Sequence, residues 1–268
     1  MVAAGTVRLR SGEPVSVLGQ GVRDHTRDAA TRRARILALQ HGIDLGMTLI
    51  DAAPDGEELV GDAIVRRRDD IFLVARLPVA RAGDMAGSCM RTLRRLGTDR
   101  LDLYLLHGRG SVDLEATVDD FERLRAAGLI RHWGVADFSL PSFTELFLTD
   151  PDCAAEEVWY DLAHRGVEWD LLDRCRERDV LVLASTTLEL RPHPRLSEVA
   201  ERHGATPDQI SLAWLLSHEG LVAIAPAETR ERAEEHRAAA EIRLDGHDHA
   251  VLDDGFPPPL GPRPLTHL

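Results

Sequence analysis

The apolar run Leu101-Asp-Leu-Tyr-Leu-Leu106 ends on His107, and a second run, Thr48-Leu-Ile50, ends on Asp51. A third, Ile71–Ala75, ends beside Arg76. A histidine, a carboxylate and a guanidinium at the ends of buried-type segments can supply an acid or base, an orienting partner and an anchor for an anion or oxyanion. What is missing narrows the chemistry further. All 32 Lys-or-Arg positions are arginine, so the chain has no lysine to form a Schiff base or to tune a tyrosine. No G-x-S-x-G, H-E-x-x-H or Walker segment is present. His247-Asp-His249 comes closest to a metal pattern but reads as a polar turn, and no metal is expected. Cys89, Cys153 and Cys175 are far apart with no C-x-x-C spacing. They read as free thiols in a reducing cytoplasm.

The elements that position these residues alternate. Short apolar runs at Val17–Gly21, Thr48–Asp51, Ile71–Ala75, Leu101–His107, Arg131–Ala136, Glu157–Trp159, Val180–Ala184 and Val222–Ala225 read as strands. Between and after them, Ala29–Leu45, Glu57–Arg67, Ala86–Leu96, Glu115–Ala127, Leu140–Leu146, Trp169–Arg178, Pro207–His218 and Arg230–Ala240 read as helices. Gly42, Gly46, Gly97 and Gly128 fall near helix ends where a left-handed residue is needed. Thr206-Pro207 reads as a cap followed by a first-turn proline. Eight strands alternating with eight helices predict an α/β fold, a single (β/α)8 TIM barrel over residues 1–268. A hairpin around Ser11-Gly12 is expected to close the barrel floor, and the proline-rich tail from Phe256 reads as a loop.

At 268 residues and net charge −13, the chain can bury a full core, and its charge argues against nucleic-acid or anionic-membrane partners. No apolar run reaches membrane-spanning length. The opening Met1-Val-Ala-Ala-Gly-Thr6 lacks the basic-then-apolar pattern of a secretory leader. The expected partner is a small molecule, and no oligomeric state follows. In a barrel of this kind the chemistry sits at the C-terminal strand ends, here Asp51, Arg76, His107, Asp137, Glu157, Ala184 and Pro226.

Several long segments, in order, resemble the aldo-keto reductase family. They are Gly46-Met-Thr-Leu-Ile-Asp51, Glu57-Glu-Leu-Val-Gly61, Leu93 through His107, Gly128-Leu-Ile-Arg-His-Trp-Gly-Val135, and His203 through Leu216. The resemblance implies NADPH-dependent carbonyl reduction by an aspartate, a tyrosine, a lysine and a histidine. Asp51 and His107 match the aspartate and the histidine. Arg76 stands at the lysine position, and Ala52-Ala-Pro-Asp-Gly56, where the tyrosine belongs, has none. Tyr104, three residues before His107, should face the helix layer. Asp137 stands where the family binds the nicotinamide amide, Glu157 where it has a glutamine, Ala184 where it has a stacking ring, and Pro226 where it has a phosphate-binding lysine. Thr229, Arg232 and Glu235 are the residual cofactor positions. Glu228 adds negative charge beside them.

These differences lead to an expectation of a degenerate active site that binds no cofactor. The chain would catalyse a dehydration, cyclisation, isomerisation or addition on a small molecule, with specialised metabolism as its setting. His107 would be the acid or base, Asp51 its orienting partner or a second base, and Arg76 an oxyanion or substrate anchor. Asp55, Asp137, Glu157 and Trp159 would line a pocket for an amine-bearing substrate. Trp133, Trp169 and Trp214 are expected in the core. The alternatives are an atypical NADPH-dependent carbonyl reductase and a non-catalytic small-molecule-binding protein.

Overall fold

The computed structural model describes residues 5–24, 26, 28–149, 152–188 and 190–267. Met1–Ala4, on which part of the leader reading falls, lie outside them. A hairpin of β1 (Thr6–Arg8) and β2 (Pro14–Ser16) precedes eight strands: β3 (Leu18–Val22), β4 (Leu49–Ala52), β5 (Phe72–Pro78), β6 (Leu101–His107), β7 (Ile130–Ala136), β8 (Ala155–Trp159), β9 (Leu181–Ser185) and β10 (Leu221–Ala225). Strands β3 to β10 pair in parallel with their sequence neighbours, and β10 returns to β3 to close a barrel. The helices are α1 (Ala29–Asp44), α2 (Glu57–Ala63), α3 (Met85–Leu96), α4 (Leu114–Ala126), α5 (Leu140–Thr149), α6 (Leu171–Glu177), α7 (Pro194–His203), α8 (Pro207–Leu216), α9 (Arg230–Ala239) and α10 (Gly246–Gly255). The expected (β/α)8 barrel is the fold.

Strand parity divides the core in two. Leu49, Phe72, Val74, Leu103, Leu105, Leu183, Val222 and Ile224 fill the barrel interior, and Leu9 and Val15 of the hairpin region plug its lower end. The alternate residues pack outward against the helices. Tyr104 is buried there against Phe121, which stacks on Trp133 at 5.3 Å. Both faces of each strand are therefore apolar, as parallel strands require. The interior turns polar only at the C-terminal strand ends.

The helices end where local chemistry ends them. Gly97, left-handed at φ 61°, closes α3, and a capping box between Thr206 and Gln209 opens α8. Helix α2 stops at Ala63, short of the expected Arg67, because the chain turns left-handed at Arg66 (φ 66°). Two helices escaped the sequence reading. Helix α7 carries a first-turn proline and ends on left-handed Gly204. In α10, Asp245 and Asp248 form a capping box that places His247-Asp-His249 in the helix rather than in a polar turn. Trp133 and Trp214 are core residues, whereas Trp169 is 45% exposed.

Gly42 does not end α1; it lies inside the helix, where a Cβ would meet Gln20 Oε1 at 2.1 Å. Gln20 in turn donates from Nε2 to Met47 O at 2.9 Å and Leu39 O at 3.3 Å. Gly42→Ala should therefore cost about 1–3 kcal/mol of stability in urea unfolding. Gly246→Ala, where nothing lies within 4 Å, should be neutral or stabilising. Equal effects at the two sites would contradict this account of α1 packing.

Candidate active site

Closing the barrel brings residues from the C-terminal ends of six successive strands to one mouth. Asp51 comes from β4, Arg76 from β5, His107 from β6, Asp137 from the residue after β7, Glu157 from β8 and Ser185 from β9. The mouth holds two polar groups, one centred on Arg76 and one on His107.

In the first group, the Arg76 guanidinium lies between two carboxyl groups. Its Nη2 pairs with Asp51 Oδ2 and stands 2.7 Å from Glu157 Oε1, while Nε reaches Asp51 Oδ1 at 3.4 Å. Ser185 Oγ donates to Glu157 Oε1 at 2.5 Å. Asp51 is 2% exposed and Glu157 0%. Burial works against the Arg76 charge, but the Asp51 carboxylate beside it outweighs burial and keeps the guanidinium protonated. Burial also pushes the Glu157 carboxyl up, to about 8. Arg76 and the Ser185 hydroxyl oppose that rise, while Asp51 and Asp137 assist it. At neutral pH Glu157 is mostly neutral and able to donate, so it is not the acceptor-only group expected from its type.

The second group is an imidazole with a carboxylate behind it. His107 Nε2 lies 3.0 Å from Asp137 Oδ2, with the Asp137 side chain 2% exposed and that of His107 27% exposed. Asp137 adopts a left-handed φ of 58°, a conformation that aspartate tolerates better than most residues. Asp137, not Asp51, is thus the partner of His107. Of the three acidic residues expected to attract an amine, Asp137 and Glu157 already face an imidazole and a guanidinium of the chain itself and Asp55 lies outside the cavity lining, which removes the ground for expecting a basic substrate.

The first group opens into a cavity of about 570 Å³ that includes Trp159 and runs to the start of α9. The Trp159 Nε1 donates to Asp161 Oδ2 at 2.9 Å, fixing the indole at the rim. Thr229 and Arg232 line the far end of the cavity. Thr229 caps α9 by accepting from Arg232 N at 3.2 Å. Glu235 lies outside the lining and accepts from Thr206 Oγ1 at 2.5 Å. Asp55 sits on an exposed turn, also outside the lining.

Of the cavity residues that the sequence reading did not single out, three stand out. Arg23, directly after β3, and Arg35, on α1, both line it. Arg35 Nη2 stands 2.9 Å from Glu228 Oε1, which also borders the cavity. Ser185 is the third, because Ala184 packs outward with the helices and cannot meet a ligand. The alternation Leu181, Leu183, Ser185 carried that signal. The tyrosines are elsewhere: Tyr104 faces α4, and the Tyr160 hydroxyl pairs with Glu168 at 2.9 Å and His218 at 3.0 Å.

Residues 17–191 match the model of the aldo/keto reductase family. Methylglyoxal reductase YeaE of Escherichia coli (strain K12) is 38% identical over 261 residues, covering 91% of this chain and 92% of that one. An aldo/keto reductase from Klebsiella pneumoniae, solved in complex with NADP and acetate, superposes with a TM-score of 0.94 at 37% identity, covering both chains fully. The thermostable aldo-keto reductase Tm1743, solved with the inhibitor epalrestat, gives 0.86 at 33% identity, covering 93% of this chain and 99% of that one. A methylglyoxal reductase and an NADP complex, both similar along nearly the whole chain, overturn the expectation of a cofactor-independent lyase, cyclase or isomerase. The expectation that no cofactor binds falls with it. With this barrel, this mouth and a family match over most of its length, the chain belongs to the aldo/keto reductase family.

Proposed function

We propose that the protein is an NADPH-dependent reductase of small carbonyl compounds, with 2-oxoaldehydes such as methylglyoxal as the first class to try. One observation carries the reading: a single cavity joins the Asp51–Arg76 group to a set of guanidinium groups at its far end. Arg23, Arg35 and Arg232, with the first turn of α9, form a donor set suited to the phosphates of a dinucleotide. Ser185 and Trp159 would border its other end. Glu157 Oε2 is buried with no hydrogen-bond partner among the described residues, and the other carboxyl oxygen accepts from Ser185, which lines the cavity. These residues fit the cofactor.

When bound, the dinucleotide supplies a hydride to a carbonyl carbon. The chain supplies the rest. Arg76, held protonated, places a fixed positive charge where negative charge grows on the carbonyl oxygen. Asp51 fixes the guanidinium at two points, so little reorganisation is needed as that charge develops.

Calorimetric titration with NADPH, followed by NADPH consumption against alcohol formed from methylglyoxal and related 2-oxoaldehydes, tests the reading. Saturable binding with equal amounts of NADPH lost and alcohol gained is expected. No binding would overturn it. The Glu228 carboxylate competes with a phosphate for Arg35, so Glu228→Gln should tighten NADPH binding about three- to tenfold. The gain should shrink in high salt because Glu228 is largely exposed. Unchanged or weaker binding would place the phosphates away from Arg35.

Glu157 also gives the fold a pH signature. Its carboxyl rises from an ordinary value of 4.5 to about 8 in the folded chain, so the folded state holds a proton that the unfolded state releases. This contribution to stability is full below about 4.5 and is lost as pH rises through about 8. In urea unfolding across that window, Glu157→Gln should lose less stability with rising pH than the wild type. Parallel curves would show that Glu157 does not titrate there.

A further inference from the structure

The carboxylate of Asp161, in the turn after β8, is 2% exposed and plays no part in the chemistry above, yet five donors converge on it. They divide between its two oxygens. Oδ1 serves the turn itself, accepting from Ala163 N at 2.9 Å and His164 N at 3.0 Å, with His164 Nδ1 at 2.8 Å. Oδ2 serves the cavity. It accepts from Trp159 Nε1 at 2.9 Å and Thr186 Oγ1 at 3.3 Å, and both of those residues line the cavity. The Trp159 indole also lies against the His164 ring, with centroids 4.9 Å apart. One carboxylate therefore holds the indole by its edge and holds the ring beside it. The Thr186 hydroxyl accepts in turn from Leu188 N at 3.1 Å, fixing a left-handed residue (φ 57°) of the same cavity lining.

We propose that Asp161 is the positioning residue of this cavity wall, keeping Trp159 and Thr186 ordered in advance for the dinucleotide. This rests on the reductase reading above. A side chain that becomes immobile only on binding weakens the complex by a factor of about two to ten. An indole tied at its nitrogen, and a hydroxyl held between a carboxylate and a backbone N–H, are already immobile before any ligand arrives.

The division between the two oxygens separates this role from holding the turn. Asparagine at 161 would keep its carbonyl oxygen towards the backbone N–H groups of Ala163 and His164. Its amide would then face the Trp159 N–H, donor against donor. The turn survives and the hold on the indole is lost.

The test reads the indole 15N–1H resonances of the four tryptophans, with Trp159→Phe identifying that of Trp159. Beside them stand calorimetric titrations with NADPH and with adenosine 2′,5′-bisphosphate, which carries phosphates but no nicotinamide and so probes the arginine end of the cavity. In Asp161→Asn the Trp159 indole proton should move upfield, and NADPH should bind about three- to tenfold more weakly. The bisphosphate should bind as it does to the wild type. Trp159→Phe keeps a ring but removes the donor, so it should weaken NADPH binding similarly. The double variant should lose no more than Asp161→Asn alone, because both changes remove one interaction. An unmoved indole proton, unchanged NADPH affinity with the indole released, equal weakening of both probes, or additive effects in the double variant would each overturn the proposal. Should Asp161→Asn not fold, unchanged NADPH affinity in Trp159→Phe overturns it instead. A wild type that binds neither probe overturns the reductase reading and the ligand named here with it, while the indole resonance still decides whether Asp161 holds Trp159.

Discussion

A guanidinium buried at the junction of an apolar barrel and a wet mouth sets the terms for everything around it. An unpaired charge at the depth of Arg76 would be prohibitively costly. Asp51 from the neighbouring strand takes two of its donors, and Glu157, three strands round the barrel, stands against the same Nη2. Two ionised carboxylates and one guanidinium would leave a net negative charge in that enclosure. Burial resolves this by holding Glu157 protonated at neutral pH, so the group as a whole stays near neutrality. The arrangement exists only because the barrel closes, since β4, β5 and β8 belong to one mouth only in a closed sheet.

That neutral, rigid group divides the mouth. On its side lies the cavity that runs towards Arg23, Arg35 and Arg232. Beyond it, at the ends of β6 and β7, stands the His107–Asp137 pair, whose imidazole remains partly open while its carboxylate is covered. The fixed cation and the part-open imidazole are therefore separate residues on separate strands. Arginine is suited to the first role because it keeps its proton.

The fold was readable because parallel barrel strands are apolar on both faces and are punctuated by caps and glycines, all of which are local. Parity alone placed Tyr104 outward and His107 inward. The misses were also physical. Helices α7 and α10 are short and polar on one side, and their caps, His193 and Asp245, lie in stretches that read as loop. Ala184 was assigned by position in a motif, whereas the strand's alternation puts Ser185 in the mouth. The pairing of His107 with Asp137 instead of Asp51 depends on which strands adjoin. Linear order leaves that open until β6 and β7 are seen side by side.

The error over the cofactor had a different source. It counted missing side-chain types one position at a time: a lysine replaced by Pro226, amides replaced by Asp137 and Glu157, a ring replaced by a small residue. A binding cleft, however, is a sum of charges in space. Arg35 is a helix residue whose guanidinium crosses to Glu228, and Arg23 enters from the end of β3, so positive charge is present without any lysine. The same view explains why the changes occur together. An arginine at position 76 presents five donors in a rigid fork, more than Asp51 alone can satisfy. The partner at 157 must accept from that fork without adding a second negative charge. A carboxyl can, accepting from Arg76 and Ser185 while taking up a proton to keep the enclosure near neutral. Arg76 and Glu157 are thus parts of one electrostatic unit, in which burial of Glu157 keeps the enclosure near neutral.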